Sequence, residues 1–251
     1  MPTPLHESIG GLLNKKLSAF VENLPEDTGD RISMVTGEDY NSFGGGWFGS
    51  GKRPDLGIQI KTLDGNVELK WILETGFSET YNELLDDVRL WLEGLSEVAM
   101  VVIVKFGESP KYRCPGSFDQ ELEDQGLSEG LAVKPKDIIL RGDYGPATYN
   151  NLVWVGNITE IFMENWIRGP NGKAKKQGSR KDLLRDAEVQ ILPRDFLDLP
   201  DCRGSITINL TKFRSGLKDS IRRLAAYRCN RFIIDYMKRM RNRADDEDYQ
   251  P

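Results

Sequence analysis

The sequence predicts a mixed α/β fold, an α+β arrangement on a mixed sheet with a long C-terminal helix. Three observations predict it. Two strand-like runs, 55–61 and 68–74, flank Asp64-Gly65, a favoured two-residue turn pair. Residues 80–94 carry Leu84, Leu85, Val88, Trp91 and Leu92 at helical spacing, continued by Leu95. Residues 97–106 are almost continuously apolar, as in a strand covered on both faces. Strand, helix and strand of these lengths imply a right-handed crossover.

The elements follow in order. Residues 8–24 read as an amphipathic helix with Ile9, Leu12, Leu13, Leu17, Phe20, Val21 and Leu24 on one side, ended by Pro25. Residues 31–36 read as a short strand. The Gly-rich stretch 37–51 lacks the Lys-Ser/Thr ending of a phosphate loop and reads as a flexible connection. The hairpin follows, and then the helix, with Thr80-x-x-Glu83 as a capping box and Gly94 as its stop. Residues 107–131 read as a polar surface excursion. Strands are expected at 137–141, 151–155, 189–192 and 205–210, and 158–166 fits either strand or helix. Residues 168–181 read as an exposed basic loop. Residues 214–241 form a long helix with Leu217, Ile221, Leu224, Ala225, Phe232, Ile233, Tyr236, Met237 and Met240 on its apolar stripe. No repeat or clean linker divides the chain. The expected organisation is one α/β domain over 1–211, a basic helix over 212–244 packed on it, and an acidic tail over 245–251.

A turn at Asp64-Gly65 places Asp55 opposite Glu74, with Cβ atoms roughly 4.5–5.5 Å apart. Leu56, Ile58, Ile60, Leu69, Trp71 and Leu73 then share the other, core-facing side. A turn one residue later keeps Asp55 and Glu74 on one face; a three-residue loop does not. Two carboxylates on adjacent strands suit Mg²⁺ or Mn²⁺, which take oxygen ligands and retain waters. The alternative is two solvated acids offset by Lys70 and Arg53.

Composition narrows the chemistry. The 251 residues carry a net charge of −5, 39% hydrophobic residues and a mean hydropathy of −0.48. No apolar run approaches the ~20 residues that span a bilayer, and the N-terminus shows no secretory pattern. Cys114, Cys202 and Cys229 are scattered, which argues for a reducing, intracellular setting and against a disulfide framework or a cysteine zinc site. A single histidine, His6, leaves His-dependent triads, His-metal-His helices and HNH-type nucleases unsupported; His6 itself reads as a solvated terminal residue. Carboxylates and lysines must carry any catalysis. Charge is segregated: residues 1–167 hold 14 basic and 27 acidic residues, 168–181 hold six basic and none acidic, and 212–243 hold 11 basic and two acidic. Such segregation serves a polyanion partner or simply solvates a loop and a helix.

The order helix, strand, Pro-Asp strand, Glu strand, helix, apolar strand resembles the PD-(D/E)XK, or restriction-endonuclease-like, superfamily. More narrowly, Arg53-Pro54-Asp55, Glu74-Thr75-Gly76-Phe77-Ser78-Glu79, then Leu84, Asp87 and Trp91-Leu92 resemble a group of fungal proteins with this nuclease-like core. The match spans residues 52–106. The resemblance implies an αβββαβ core and a Mg²⁺-dependent nuclease acting on nucleic acid phosphodiesters. Asp55 and Glu74 would ligate the metal, with the Thr75 carbonyl as a further oxygen. The superfamily's third residue is a Lys two places after the Glu, and this chain has Gly76 there. Arg53, opposite Gly76 in the hairpin register, or Lys70, opposite Gln59, would restore the charge. Arg stays protonated and is a poor base, and Lys70 lies roughly 13 Å back along the strand at ~3.3 Å per residue. Ser78 and Glu79 either cap the helix or reach inward. Glu22, Glu38 and Asp39 rank lower, and Trp91 reads as core. Lys173, Lys175, Lys176, Arg180 and Lys181 would contact phosphates of DNA or RNA. The alternative is a catalytically degenerate nuclease fold that binds nucleic acid or protein. No membrane partner is expected. A homo-oligomer through the C-terminal helix is allowed, as is cytoplasmic or nuclear residence, with 173–181 as an import stretch.

Overall fold

Thr3 starts the first helix by accepting the His6 N–H at its hydroxyl (3.3 Å), with Pro4 in the first turn, where a missing N–H costs nothing. In the computed structural model, which describes residues 3–115 and 132–247, this helix is α1 (Pro4–Glu22). Leu5, Ile9, Leu13 and Leu17, four apart, form its buried stripe. Then come α2 (Glu26–Gly29), β1 (Ile32–Val35), β2 (Leu56–Lys61), β3 (Val67–Gly76), α3 (Tyr81–Gly94) and β4 (Met100–Ser109). The remainder is β5 (Ile139–Leu140), β6 (Ala147–Tyr149), β7 (Leu152–Val155), β8 (Asn157–Arg168), β9 (Ala174–Asp182), β10 (Glu188–Ile191), β11 (Ile206–Asn209) and α4 (Leu210–Glu247).

The main sheet is mixed, in the order β1-β2-β3-β4-β8-β9. Only β3 and β4 are parallel, joined through α3; the other neighbours are antiparallel. The two faces carry different helices. Leu56, Ile58, Trp71, Leu73, Val102 and Val104 lie in the core on the α1 side, and α4 packs on α1. Ile72, Val101 and Ile103 face Leu84, Val88, Trp91 and Leu92 of α3. Each fully buried Leu, Val or Ile contributes roughly 1.5–3 kcal/mol. The small sheets β5-β6-β7 and β10-β11 extend the first core toward α4.

Several expectations are corrected. The hairpin turn is a five-residue loop, since Lys61 pairs Val67. Thr62 closes it by bonding Asp64 and the Asn66 carbonyl, and Gly65 sits at φ 87°, which glycine adopts without strain. Lys70 is the extra residue of a bulge between the Ile58 and Gln59 pairings, so it does not oppose Gln59. The bulge cancels the odd loop, and Leu56 pairs Leu73 as a two-residue turn would have it. It also moves Leu69 to the α3 side. The face expected to be solvated at Glu74 is instead covered by α3. Residues 174–182 are not a loop but the edge strand β9, and 158–166 is strand.

The long helix begins at Leu210, and Leu217, Ile221, Leu224, Ala225, Phe232 and Ile233 are buried against the rest of the chain. Residues 116–131 of the polar excursion, the side chains of Met237 and Met240, and residues 248–251 of the acidic tail lie outside what is described, while 245–247 end α4. No described helix is long and apolar enough to cross a membrane. Cys114 is exposed and Cys202 and Cys229 are buried, all as free thiols.

Candidate active site

Asp55 precedes Leu56, and Leu56 pairs Leu73, so Asp55 lies beside Glu74 near the end of β3. Its Oδ2 accepts the Thr75 N–H at 2.7 Å and pairs with His6 Nε2 at 3.0 Å. Asp55 therefore stands at the seam between the two layers, with α1 on one side and Glu74 beneath α3 on the other. His6 is not the solvated terminal residue the sequence suggested. Burial opposes its positive charge, but the bond and attraction to Asp55 raise its pKa above the usual 6.5.

Glu74 is 4% exposed and accepts the Trp91 Nε1–H at 2.6 Å. Trp91 is thus core and site at once. Burial drives the Glu74 pKa well above the ordinary carboxyl range, and the charges of Asp55 and Asp87 push it further than Lys52 and Trp91 can offset. Asp87, one turn before Trp91 on α3, pairs with Lys52 at 2.7 Å. Glu79 joins the group: burial, Asp87 and Asp55 raise its pKa against Lys52 and His6.

Lys52 is the cation of this group. Burial disfavours its charge, but Glu74, Asp87 and Glu79 outweigh that and raise its pKa. The Gly-rich stretch positions it. Tyr40 and Lys52 exchange two backbone hydrogen bonds of 2.9 Å, and the Gly44 N–H bonds the Gly94 carbonyl at 2.7 Å. Phe43 is buried with its ring 5.3 Å from that of Trp91, and Tyr40 lies edge-on to Trp91 at 5.7 Å. The segment is a strap over α3 rather than a loose connection.

The expected cations lie elsewhere. Arg53 makes a bidentate pair with exposed Asp39 at 2.9 and 2.7 Å, and Lys70 pairs with Glu68 at 2.6 Å. Glu38 bonds Gln59 and Tyr40 at 3.0 and 3.4 Å, and Glu22 ends α1 far along the helix from His6. Gly76 has a packing reason. A Cβ there would stand 2.6 Å from Leu84 Cδ1, so the superfamily's lysine position is filled by α3. No signal in the sequence identified Lys52 or His6. Asp87 and Glu79 were visible only in the helix pattern and as acids at the helix entrance.

The basic stretch pairs largely with the fold's own carboxylates. Lys173 binds Glu93 at 2.9 Å, and Lys176 and Arg180 both bind Glu164 at 2.8 Å. The Glu164 side chain is fully buried and also accepts from Tyr81 OH at 2.8 Å. Burial opposes its charge, but Lys176, Arg180 and Tyr81 hold its pKa below the ordinary value. Lys175 and Lys181 make no ion pair with the described residues.

Asp55, Glu74, Asp87 and Glu79 bring carboxylate oxygens together beside His6 and Lys52, and carboxylate oxygens are the ligands that a hard divalent ion takes. Burial and two neighbouring acids disfavour the charged form of Glu74, so a cation here would relieve that repulsion. Among the described residues, no group of three or more His, Cys, Asp or Glu side chains is already arranged as a metal cage. Comparison of the chain with family models, curated proteins and solved structures gave no match.

Proposed function

We propose that the chain is a PD-(D/E)XK nuclease-like phosphodiesterase, dependent on Mg²⁺ or Mn²⁺ and acting on DNA or RNA. The observation that carries the reading is buried Glu74, its pKa displaced upward beside Asp55 and Asp87 and facing Lys52. Strongly displaced carboxyls with specific charged neighbours mark functional sites. The run α1-β1-β2-β3-α3-β4, with antiparallel, antiparallel and parallel pairings, supports the αβββαβ core that the sequence resembles.

In this reading Asp55 and Glu74 hold the cation, with the Thr75 carbonyl as a third oxygen. A bound divalent ion supplies Lewis acidity toward the phosphodiester and lowers the pKa of water. Glu74 would hold the cation as its carboxylate. Trp91 N–H and Thr75 N–H orient the two carboxylates, as outer partners of ligands do. Lys52, not Arg53 or Lys70, takes the role that Gly76 leaves open, placing a positive charge where the phosphodiester becomes more negative.

The second reading, a degenerate fold that binds without cutting, is favoured by Leu84 occupying the position over Gly76. One experiment separates them: single- and double-stranded DNA and RNA incubated with Mg²⁺, Mn²⁺ or EDTA. Metal-dependent cleavage lost in Asp55→Asn and Glu74→Gln, and reduced about 10²-fold or more in Lys52→Met, supports the enzyme. Cleavage surviving in both carboxylate variants rejects the site. Binding without cleavage by the unaltered chain establishes the second reading.

A further inference from the structure

A cleft of about 650 Å³ opens beyond the acidic group, past the C-terminal ends of β3 and β4. Sheets of this kind bind ligands outside the carboxyl ends of their parallel strands. Ser78 and Glu79 line both this cleft and the smaller groove that contains His6, Asp55 and Thr75, so the two are neighbours that share a wall.

Two lysines in the cleft have no carboxylate partner among the described residues. Lys105 stands beside Gly76 in the β3–β4 register, and its Nζ donates to the Phe77 and Phe106 carbonyls at 3.2 and 2.6 Å. Lys111 is exposed and makes no ion pair there. Burial, then the charge of Lys111, lowers the Lys105 pKa, and attraction from Glu160, Glu79 and Glu83 does not reverse this. Glu108, the buried acid of the cleft, is already spent on Arg228 at 2.7 and 3.0 Å. Glu79 and Glu160 also line the cleft but neither makes an ion pair with Lys105 or Lys111, which leaves both ammonium groups open to a bound anion.

The walls are flat and cationic. The Arg180 guanidinium lies 3.6 Å over the Phe162 ring and 5.4 Å from that of Tyr81. The Arg228 guanidinium lies 4.3 Å over Tyr112. Guanidinium and aromatic planes are the surfaces on which unstacked bases rest. A duplex keeps its base faces inside the stack and offers nothing to such walls.

We propose that this cleft binds a nucleotide unit of an unpaired nucleic acid strand, phosphate at Lys105 and Lys111 and base against the half-exposed Arg180 stack on Phe162 and Tyr81. That the strand then runs on to Asp55 and Glu74 rests on the nuclease reading above; the binding itself does not.

The test is fluorescence anisotropy in EDTA, with labelled single strands of about 12 nucleotides and the matching duplex. Single strands bind more tightly than duplex. The Lys105→Gln/Lys111→Gln variant, its fold checked by circular dichroism and melting, loses affinity about 10-fold or more, and its log–log salt slope shrinks by about 1.4. Lys15→Gln/Lys16→Gln makes the same charge change on the exposed face of α1 and leaves binding within about 2-fold. Absence of binding, duplex bound as tightly as single strand, or an unaffected cleft variant overturns the proposal. A separate incubation with Mg²⁺ keeps the two readings apart: binding with no cleavage sinks the enzyme and leaves the cleft standing.

Discussion

Glu74 is a carboxyl that the fold holds against its own preference. Its folded pKa lies above the unfolded value of 4.5, so the native state binds more protons. Stability therefore falls as pH rises from about 4.5 through the folded value. Glu74→Gln keeps an acceptor for Trp91 and removes the titration. It should melt higher than the unaltered chain near pH 8, by about 2–4 °C for each kcal/mol gained, and lose that advantage near pH 4. A melting point that tracks the unaltered chain at both values would mean that Glu74 is not under this strain. His6 gives the complementary case. Its folded pKa is raised above 6.5, so its contribution is complete below about 6.5 and lost as pH rises through the folded value. His6→Ala should thus destabilise the chain more at about pH 5.5 than at pH 9, as read by urea unfolding at the two values. The sequence exposed Asp55 and Glu74 because two-fold alternation placed them together. It hid His6 and Lys52 because their partners come from elements far apart in the chain.

At the level of elements, what could be read followed local rules. Thr80 and Glu83 form the reciprocal cap that their spacing announces, with bonds of 3.3 and 2.6 Å. The apolar run over 97–106 supplies the buried part of β4 from Met100 to Phe106, because continuous apolarity needs both faces covered, while the strand itself starts later and runs on to Ser109. β9 escaped because its residues carry no apolar alternation. It is an edge strand whose Lys176 and Arg180 turn toward one buried acid, and charged edge strands resist pairing with other chains. The Gly-rich strap escaped because its anchors, Phe43 and the Tyr40–Lys52 bridge, depend on α3 being in place. Gly76 shows how closely α3 and β3 approach. Gly76→Ala should cost about 1–3 kcal/mol through Leu84, and Gly76→Ala/Leu84→Ala should recover part of the overpacking component. Denaturant midpoints of the single and double variants measure that coupling; strict additivity would show that Leu84 is not the obstacle.

Across the whole molecule, the candidate site lies where the α1–α4 layer and the α3 layer meet at the end of β3, so its geometry depends on both cores. The long C-terminal helix is part of that frame rather than an appendage. Arg228 on α4 binds Glu108 at the end of β4 and also donates to the Trp154 carbonyl at 2.9 Å. The two side chains are 14% and 6% exposed, so the pair is removed from water. Such a pair adds little over a well-packed apolar replacement, but breaking it strands a buried charge. Arg228→Met should therefore cost about 3–5 kcal/mol, far more than loss of an exposed i,i+4 pair such as Arg231–Asp235. Arg228→Met/Glu108→Leu should restore most of the loss, because neither charge then remains buried. Chemical unfolding of these two variants and of Glu108→Leu alone reads the cycle. Negligible losses in all of these variants would mean that α4 is held by its apolar stripe alone, through Leu217, Ile221 and Leu224, with the ion pair serving only to shape the wall of the neighbouring cleft.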